Sequence, residues 1–186
     1  MGNNLDYEIN KELGESYLFM GELDKAEEHY KKAAGSNGVH AEPYLGLATI
    51  AVQKGELQKA HSLYSKAGSV ETSDKALAGL ALVEAEIGSR EKAFELLQQA
   101  LNLNPSNLVA LSALVQAGYG LQRLQEVLPY LETYLQAEPD NKDVRFSLAG
   151  CLKTLGRNSE AKEQARRILE QDPENTAAGE LLANVA

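Results

Sequence analysis

Apolar positions along this chain recur at the three- and four-residue spacing of helices, and the whole pattern returns about every 34 residues. Leucine marks the period at Leu13, Leu47, Leu80, Leu114 and Leu148, in steps of 34, 33, 34 and 34 residues. A glycine follows each leucine after eight residues in four of the five units, and Gln122 takes that place in the fourth. Small side chains recur beside the leucine and after the glycine, at Gly14, Ala48, Ala81, Ala149, Ala26, Ala60, Ala93 and Ala161. A fixed period of this kind predicts a repeat architecture.

Each unit holds two amphipathic stretches, one on either side of the glycine, which predicts a pair of helices. In the second unit the two stripes are Tyr44, Leu47, Ala48 and Ala51, and then Ala60, Leu63, Tyr64 and Ala67. Gly55 permits the backbone conformation that ends the first helix, and the short turn makes the two helices antiparallel neighbours. Pro105, Pro139 and Pro173 close the last three units, because proline cannot continue a helix.

The string Leu80-Ala81, Gly88, Ala93, Ala100 and Pro105-Ser106-Asn107 resembles a tetratricopeptide repeat, whose period and signature it shares. The resemblance covers nearly the whole chain. It implies an all-α fold: a right-handed superhelical array of antiparallel helix pairs, or tetratricopeptide α-solenoid. We expect one domain over residues 1–186, with repeats at about 7–40, 41–73, 74–107, 108–141 and 142–175 and a C-terminal helix at 176–186.

The fourth repeat departs most from this pattern. Gln122, Val127 and Tyr134 replace small residues, and Gly118 enters the first helix. Pro129 comes early in the second helix and is tolerable only within about the first turn, where its missing amide hydrogen has no acceptor within the helix. We therefore expect this helix pair to pack less regularly, either through drift under weak constraint or because it forms a bend or a partner contact.

The resemblance also implies a binding surface, since the first helix of every pair in this family lines a concave groove that grips an extended peptide or a helix. Carried onto this chain, the groove would be lined by Lys11, Glu15, Phe19, Leu45, Thr49, Val52, Gln53, Ala78, Leu82, Glu86, Ser112, Gln116, Tyr119, Phe146, Gly150 and Lys153. The spacing within each set places its members on one helix face. For the apolar members, packing against a neighbouring helix is the alternative.

Family members that bind the acidic C-terminal tails of heat-shock chaperones resemble one another in a clamp of lysines, asparagines and an arginine. Lys11 and Lys75 match two places of that clamp, whereas Glu15, Thr49 and Gly79 occupy places where asparagine or arginine is needed. We therefore expect a different ligand, with an apolar stripe and some basic residues, bound as a helix or an extended peptide.

The charge balance also bears on which classes of binding partner are expected. The net charge is −9 and the pI is about 4.9, which disfavours nucleic acid because the summed field repels phosphate. Residues 1–40 hold 4 basic and 8 acidic side chains, whereas residues 142–175 hold 7 basic and 6 acidic ones. This asymmetry is consistent with solvated helix faces, with an acidic partner, or with head-to-tail self-association through the ends of the stack. No stretch approaches the roughly 20 apolar residues that cross a bilayer.

Residues able to do chemistry are sparse. Cys151 is the only cysteine and is expected to be a buried thiol, and the histidines His29, His40 and His61 lack the spacing of metal ligands. His29 and His61 are expected on outer helix surfaces, and Glu27 on a solvated face. No glycine-rich loop follows a strand, so no phosphate-binding motif is present. We expect no cofactor, no metal and no catalytic residue.

The sequence thus predicts a non-catalytic scaffold or adaptor that binds a peptide, helix or protein subunit in its groove. The degenerate, leucine-rich repeats are typical of bacterial proteins, which suggests a role in assembly or secretion of a bacterial complex. Two alternatives stay open: a module cut from a larger enzyme or membrane-anchored assembly factor, and a self-assembling structural scaffold. The expected location is the cytoplasm, or the periplasm or a membrane surface if a leader or anchor precedes this segment.

Overall fold

A computed structural model of the chain describes residues 2–36 and 39–184, and this part of the chain is helical and contains no strand. Eleven helices are present in it: α1 Gly2–Phe19, α2 Leu23–Ser36, α3 Glu42–Gln53, α4 Leu57–Val70, α5 Asp74–Glu86, α6 Arg90–Leu103, α7 Leu108–Leu121, α8 Leu124–Ala137, α9 Lys142–Thr154, α10 Asn158–Gln171 and α11 Thr176–Asn184. The all-α class predicted from the sequence is confirmed. Residues 185 and 186, the end of the predicted last helix, lie outside the described residues.

The helices group into two compact units, which divide between Leu103 and Asn104. In the N-terminal unit, the pairs α1/α2, α3/α4 and α5/α6 pack closely, and the first helices α1, α3 and α5 also contact one another in that order. In the C-terminal unit, α7 packs on α8, α9 packs on α10, and α11 packs on α10. The single domain predicted over 1–186 stays a prediction.

Glycine ends the first helix of four pairs in the left-handed backbone region, with φ of 77° at Gly21, 75° at Gly55, 94° at Gly88 and 74° at Gly156. At Gly55 the turn is closed by hydrogen bonds from the Gly55 amide to Val52 O (2.9 Å) and from the Glu56 amide to Ala51 O (2.8 Å). Gln122 adopts the same conformation, with φ of 59°. The fourth repeat therefore keeps the turn and accepts the strain of a side chain in it.

The segment after each of the three repeat-closing prolines, Pro105, Pro139 and Pro173, starts the next helix with an asparagine cap. The side-chain oxygens of Asn107, Asn141 and Asn175 accept hydrogen bonds from amides three residues on, at 2.9, 3.0 and 3.0 Å. Ser73 does the same for α5. These caps satisfy amides that have no acceptor within their helix, so each boundary between repeats is fixed by local hydrogen bonds as well as by proline.

Two tyrosines of the N-terminal unit fill the space between successive helix pairs. The Tyr30 ring on α2 lies against Gly14 of α1 and Gly46 of α3, and a methyl group at Gly46 would overlap it. The Tyr64 ring on α4 lies against Gly79 of α5 in the same way. Each glycine is therefore required by a close approach of an aromatic ring rather than by a turn.

In the fourth repeat, α7 and α8 approach closely over a shorter stretch than the other four pairs do, as the departures in sequence predict. Val127 and Tyr134 are both buried, and the Tyr134 hydroxyl accepts a hydrogen bond from Asn141, just before α9. Pro129 is the sixth residue of α8, so it lies in the second turn and beyond the first turn in which the sequence suggested it could be tolerated. The helix continues through it, and both Pro129 and Gln125, whose carbonyl loses its usual amide donor, are exposed residues.

Three polar residues expected on outer surfaces lie instead in contacts between helices. His29 hydrogen-bonds Asn10 at 3.0 Å, and His61 pairs with the buried Glu84 at 2.9 Å. Glu27 is half-buried and forms ion pairs with Lys31, Lys54 and Lys59. These expectations were wrong because helical periodicity locates a face, whereas the identity of the helix that covers it depends on the stacking of repeats. The prediction for Cys151 is confirmed, since its thiol is buried.

Candidate functional site

The candidate groove residues of the N-terminal unit lie on the three mutually contacting helices α1, α3 and α5. Six of them are exposed: Glu15, Phe19, Val52, Gln53, Leu82 and Glu86. Val52 is 39% exposed and Leu82 is 41% exposed, on helices that touch, whereas Phe19 is 94% exposed at the end of α1. Apolar side chains exposed on neighbouring helices are one feature of a protein-binding surface.

The remaining candidates of this unit are covered to different degrees. Ala78 is buried, and Leu45 packs against the core cluster of Ala41, Ala67 and Ala76. For Leu45 this is the alternative interpretation, packing against a neighbouring helix, and Ala78 is covered as well. Lys11 and Thr49 are half-buried, so each presents only part of its side chain to solvent.

Tyrosine side chains from the second helices reach between the first helices of this unit. The Tyr64 hydroxyl lies 3.3 Å from the Thr49 hydroxyl, which also donates to Leu45 O at 3.0 Å. Burial and the nearby Glu15 carboxylate raise the pKa of Tyr30 to about 12, because both disfavour the phenolate. The tyrosines therefore supply rigid rings close to the candidate residues Glu15 and Thr49.

The start of this surface is acidic. Lys11 pairs with Glu8 at 2.8 Å, and the Tyr7 hydroxyl donates to a Glu42 carboxylate oxygen at 3.3 Å. The charges of Glu8, Glu15 and Glu42 also raise the pKa of Lys11, which stays protonated among them. Three carboxylates around one ammonium group leave a negative local potential, which favours a basic group in a ligand.

In the C-terminal unit the candidates lie on α7 and α9. Ser112, Gln116, Tyr119, Phe146 and Lys153 are exposed, and Gly150 is half-buried. Tyr119 reaches from α7 to α9, where its hydroxyl group interacts with Thr154 and Cys151. The hydroxyl would lie 3.2 Å from a Cβ atom at Gly150, so the small residue at this place makes room for it. Burial raises the pKa of the Cys151 thiol, which keeps it protonated and unreactive.

No cluster of side chains suited to metal binding occurs among the described residues. The three histidines are dispersed: His40 stacks on Tyr7, while His29 and His61 bond to Asn10 and Glu84. No nucleophile with an adjacent base is apparent in residues 2–36 and 39–184. The arrangement is suited to binding, and we assign it no reaction.

Sequence reasoning missed two sets of residues that the structure makes prominent. Tyr64 was assigned only to an apolar stripe and Tyr30 was not singled out, although Gly46 and Gly79 stand just before the marker leucine of the repeat that follows each of these tyrosines. That pairing was visible in the aligned repeats. The second is Arg145, a buried arginine at the place where three other repeats hold Tyr44, Leu77 and Leu111.

Comparison with protein families agrees with these helix pairs. Residues 11–74 and residues 119–185 each match the family described as "Tetratricopeptide repeat". The chain belongs to the tetratricopeptide repeat family. Proteins of this family are typically non-catalytic scaffolds for protein–protein interaction.

Two curated relatives are longer than this chain. A BBSome complex member of Bos taurus is 34% identical over 112 residues, which cover 60% of this chain and 21% of that protein. An Hsp70/Hsp90 co-chaperone of Saccharomyces cerevisiae (strain ATCC 204508 / S288c) is 27% identical over 190 residues, covering 90% of this chain and 48% of that protein. The chain thus spans at most about half the length of these two relatives.

Solved structures show the same fold at low sequence identity. The pilF protein of Pseudomonas aeruginosa superposes with a TM-score of 0.77 at 19% identity, over 97% of this chain and 83% of that one. MamA gives a TM-score of 0.72 at 21% identity, over 94% of both chains. YrrB is described as a tetratricopeptide repeat protein with an unusual peptide-binding site. It gives a TM-score of 0.67 at 19% identity, over 90% of this chain and 87% of that one. The family and fold class predicted from the sequence are confirmed.

Within the described residues, none of the helices combines the length and the apolar character needed to cross a membrane. The longest of them, α1, carries charged residues along its length.

Proposed function

We propose that this chain is a non-catalytic adaptor that binds a peptide, a helix or a protein subunit in the groove lined by the first helices of its pairs. The observation that carries this proposal is the pair of exposed apolar residues Val52 and Leu82 on the contacting helices α3 and α5. Beneath them, Tyr30 and Tyr64 hold the helices apart with rigid rings. A rigid surface loses little entropy when it binds, so its exposed apolar area contributes effectively to affinity.

The preferred ligand has an apolar stripe and a basic group near α1. Glu8, Glu15 and Glu42 surround Lys11 there, so a lysine or arginine of the ligand is attracted and an acidic tail is repelled. Thr49 and Gly79, which occupy places of the chaperone-tail clamp, are engaged by the Tyr64 side chain. The likeness to a co-chaperone therefore supports protein binding in general, and we propose a ligand other than a carboxylate-rich tail.

The test uses two acidic substitutions, Val52→Glu and Leu82→Glu, in one variant. Both side chains are exposed, so circular dichroism should show an unchanged fold. A displayed library of twelve-residue peptides is selected on the parent chain, and the recovered peptides are measured against the variant by fluorescence anisotropy. We expect apolar peptides with basic residues, bound at least about tenfold more weakly by the variant.

A matched control carries Ile87→Glu and Leu103→Glu, which add the same charge at exposed apolar residues outside the predicted groove. The control should bind the selected peptides as the parent does. Equal binding by the parent and the groove variant would show that the ligand contacts another face.

One alternative is favoured by the comparisons. Since the two curated relatives are about two and five times as long as the matched segments, this chain also fits a binding module of a larger enzyme or membrane-anchored assembly factor. The mass of the product purified from its source tests this alternative directly. The proposal extends to a role in the assembly or secretion of a bacterial complex and to a location in the cytoplasm, where a single thiol needs no partner.

Self-assembly is the other alternative, and an exposed apolar stripe on α1 favours it. Leu5, Ile9 and Leu13 are spaced four residues apart and are all exposed, as is Met20. Such a stripe is suited to packing against a second copy of the chain. Light scattering across a range of concentrations decides the matter, because a self-assembling scaffold gains mass with concentration whereas an adaptor does not.

A further inference from the structure

The C-terminal unit contains a cavity of about 350 Å³ between α8, α9 and α10. Its apolar walls are Leu135, Pro139 and Leu148, and its polar lining includes Arg145, Gln164 and Arg167. The cavity lies within one unit and shares no residue with the predicted groove on α7 and α9. Apolar walls with a few convergent polar groups are the usual composition of a ligand site.

Arg145 is the unusual member of this lining. It is 7% exposed, and its Nη1 donates to Gln164 Oε1 at 2.8 Å while its Nη2 donates to the Pro139 carbonyl. Its Nε is buried and has no acceptor. Among the described residues, no carboxylate forms an ion pair with this guanidinium, and the Asp140 carboxylate attracts it only from a longer distance. A buried charge without a directly bonded counter-ion is costly unless something completes its interactions.

The repeat frame does not require an arginine here. Arg145 lies three residues before the marker leucine, where other repeats hold Tyr44, Leu77 and Leu111. An apolar side chain at this place packs between helices without a desolvation cost. Packing alone therefore gives no reason for the guanidinium.

The surroundings of the cavity are positive. Arg167 lines the same cavity, and residues 142–171, which comprise α9, the following turn and α10, hold 7 basic and 4 acidic side chains. Burial and the Arg167 charge lower the pKa of Arg145 while the Asp140 carboxylate acts against them, and Arg145 keeps its proton because arginine is so weakly acidic. Glu132 is the one carboxylate in the lining of this cavity; it is exposed and is not paired with Arg145.

We propose that this cavity binds the carboxylate of an aspartate or glutamate side chain from an acidic segment of a partner protein. The planar guanidinium fork matches a carboxylate in geometry and charge, and Arg167 strengthens the attraction. Leu135, Pro139 and Leu148 cover the methylene groups of the entering side chain. The site is distinct from the predicted groove, because none of the residues that line the cavity is a groove candidate.

The experiment follows the Nε–Hε resonance of Arg145 in the nitrogen-15-labelled full chain. Three probes are titrated: a capped pentapeptide with a central glutamate, its glutamine counterpart, and inorganic phosphate. We expect the glutamate peptide to shift the resonance in a saturable manner at millimolar concentration and the glutamine peptide to leave it unchanged. A shift with phosphate and none with the glutamate peptide would overturn the proposal in favour of a small-anion site, and no shift with any probe would overturn it outright.

Variants assign the binding to this residue. Arg145→Leu, which copies the third and fourth repeats, should keep the fold and lose glutamate-peptide affinity by about tenfold or more. Arg166→Leu removes the same charge from an exposed arginine outside the cavity lining and should bind as the parent does. Equal peptide affinity in the parent and Arg145→Leu refutes the assignment. If Arg145→Leu does not fold, Arg145→Lys replaces it, since lysine keeps the charge but lacks the fork and should bind several-fold more weakly.

Discussion

The second and fourth helix pairs share one frame but differ at the positions where their helices meet. In the second pair, α4 presents Ala60 and Ala67, both fully buried. In the fourth pair, α8 presents the buried Val127 and Tyr134 at the equivalent places. α7 and α8 also approach closely over a shorter stretch than α3 and α4 do, so larger buried side chains accompany a less extensive backbone approach. The comparison teaches that one repeat frame can be filled either by closely approaching backbone or by bulkier side chains.

The same exchange occurs between successive pairs. Behind the second pair, a large ring at Tyr64 meets no side chain at Gly79. The equivalent residues of the fourth and fifth repeats are Leu131 and Ser147, so part of the volume has moved to the other partner. At the turn, a different residue brings no such compensation. Gln122 adopts the left-handed conformation with strain, whereas Gly55 adopts it without strain.

The largest change in stability is expected from truncating a buried side chain of the fourth helix pair. Tyr134→Ala should lower the free energy of unfolding by about 3 kcal/mol, because it opens a cavity and removes the hydroxyl that accepts from Asn141 Nδ2 at 3.3 Å. Ala67→Tyr in the second pair should be similarly costly, through overpacking of the cluster with Ala41 and Ala76. Chemical denaturation followed by circular dichroism measures both.

Thr133→Ala, at an exposed neighbour on α8, serves as the control and should change stability by less than about 0.5 kcal/mol. If Tyr134→Ala leaves the protein as stable as the parent, the fourth pair has drifted without compensation and the comparison fails.

A smaller effect is expected where Tyr64 meets Gly79. Gly79→Ala should destabilise the protein by about 2 kcal/mol, although alanine ordinarily stabilises a helix by about 1 kcal/mol, because the methyl group overlaps the ring. Adding Tyr64→Leu should restore most of the loss, since it reproduces the exchange seen at Leu131 and Ser147. A double-mutant cycle measures the coupling.

Gly35→Ala, at a helical glycine of α2 with open space around it, provides the contrast and should be stabilising. Were Gly79→Ala to behave like Gly35→Ala, the close approach of the Tyr64 ring would not limit that position.

Substitutions at the turns of the fourth and second pairs should change the stability of the protein in opposite directions. Gln122→Gly should stabilise the protein by about 1 kcal/mol, because it relieves a side chain from the left-handed region, and Gly55→Gln should destabilise it by about the same amount. Thermal unfolding of the two variants beside the parent measures the difference.

Gln125→Gly is the control that tests whether the expected gain in stability arises from the turn at Gln122. This exposed residue lies inside α8, where glycine should cost about 1 kcal/mol. A loss of stability in Gln122→Gly would show that its amide-bearing side chain makes a contact worth more than the strain.

The smallest effect is expected in the dependence of stability on acidic pH. Hydrogen bonds from Lys54, Lys31 and Lys59 lower the pKa of Glu27 to about 2. Because the folded pKa lies below the unfolded value near 4.5, the stabilisation is complete above about pH 4.5 and is lost as the pH falls toward 2. Glu27→Gln should therefore lower the free energy of unfolding by somewhat under about 1 kcal/mol at pH 7 and flatten its dependence on pH between 5 and 2.

Glu126 provides the matched control in the fourth pair, because it pairs only with Arg123 in its own turn and is exposed. Glu126→Gln should leave the acid dependence close to that of the parent. Equal flattening in both variants would mean that the bonds from Glu27 to α4 and to the turn before it add nothing to stability.

The helix pairs were predictable because each is specified locally. The leucine period, the glycine turns and the closing prolines act within about 34 residues, and α2 through α10 follow them closely. The candidate groove was predictable only in part. Val52 and Leu82 are exposed as expected, whereas Ala78 is buried and Leu45 packs against residues of the next repeat, which the periodicity of one helix does not reveal.

By itself, the sequence determined the family, the number and polarity of the helices and the face that each one buries, because hydrophobic periodicity and turn chemistry act between residues close in the chain. The tertiary structure decided which residues meet across repeats. The Tyr30 ring lies against Gly46, and Glu27 forms ion pairs with Lys54 and Lys59. Arg145 is buried and forms no ion pair with a carboxylate of the described residues. Those contacts depend on how far apart two helices settle, and that distance is set by side-chain volumes from separate repeats acting together.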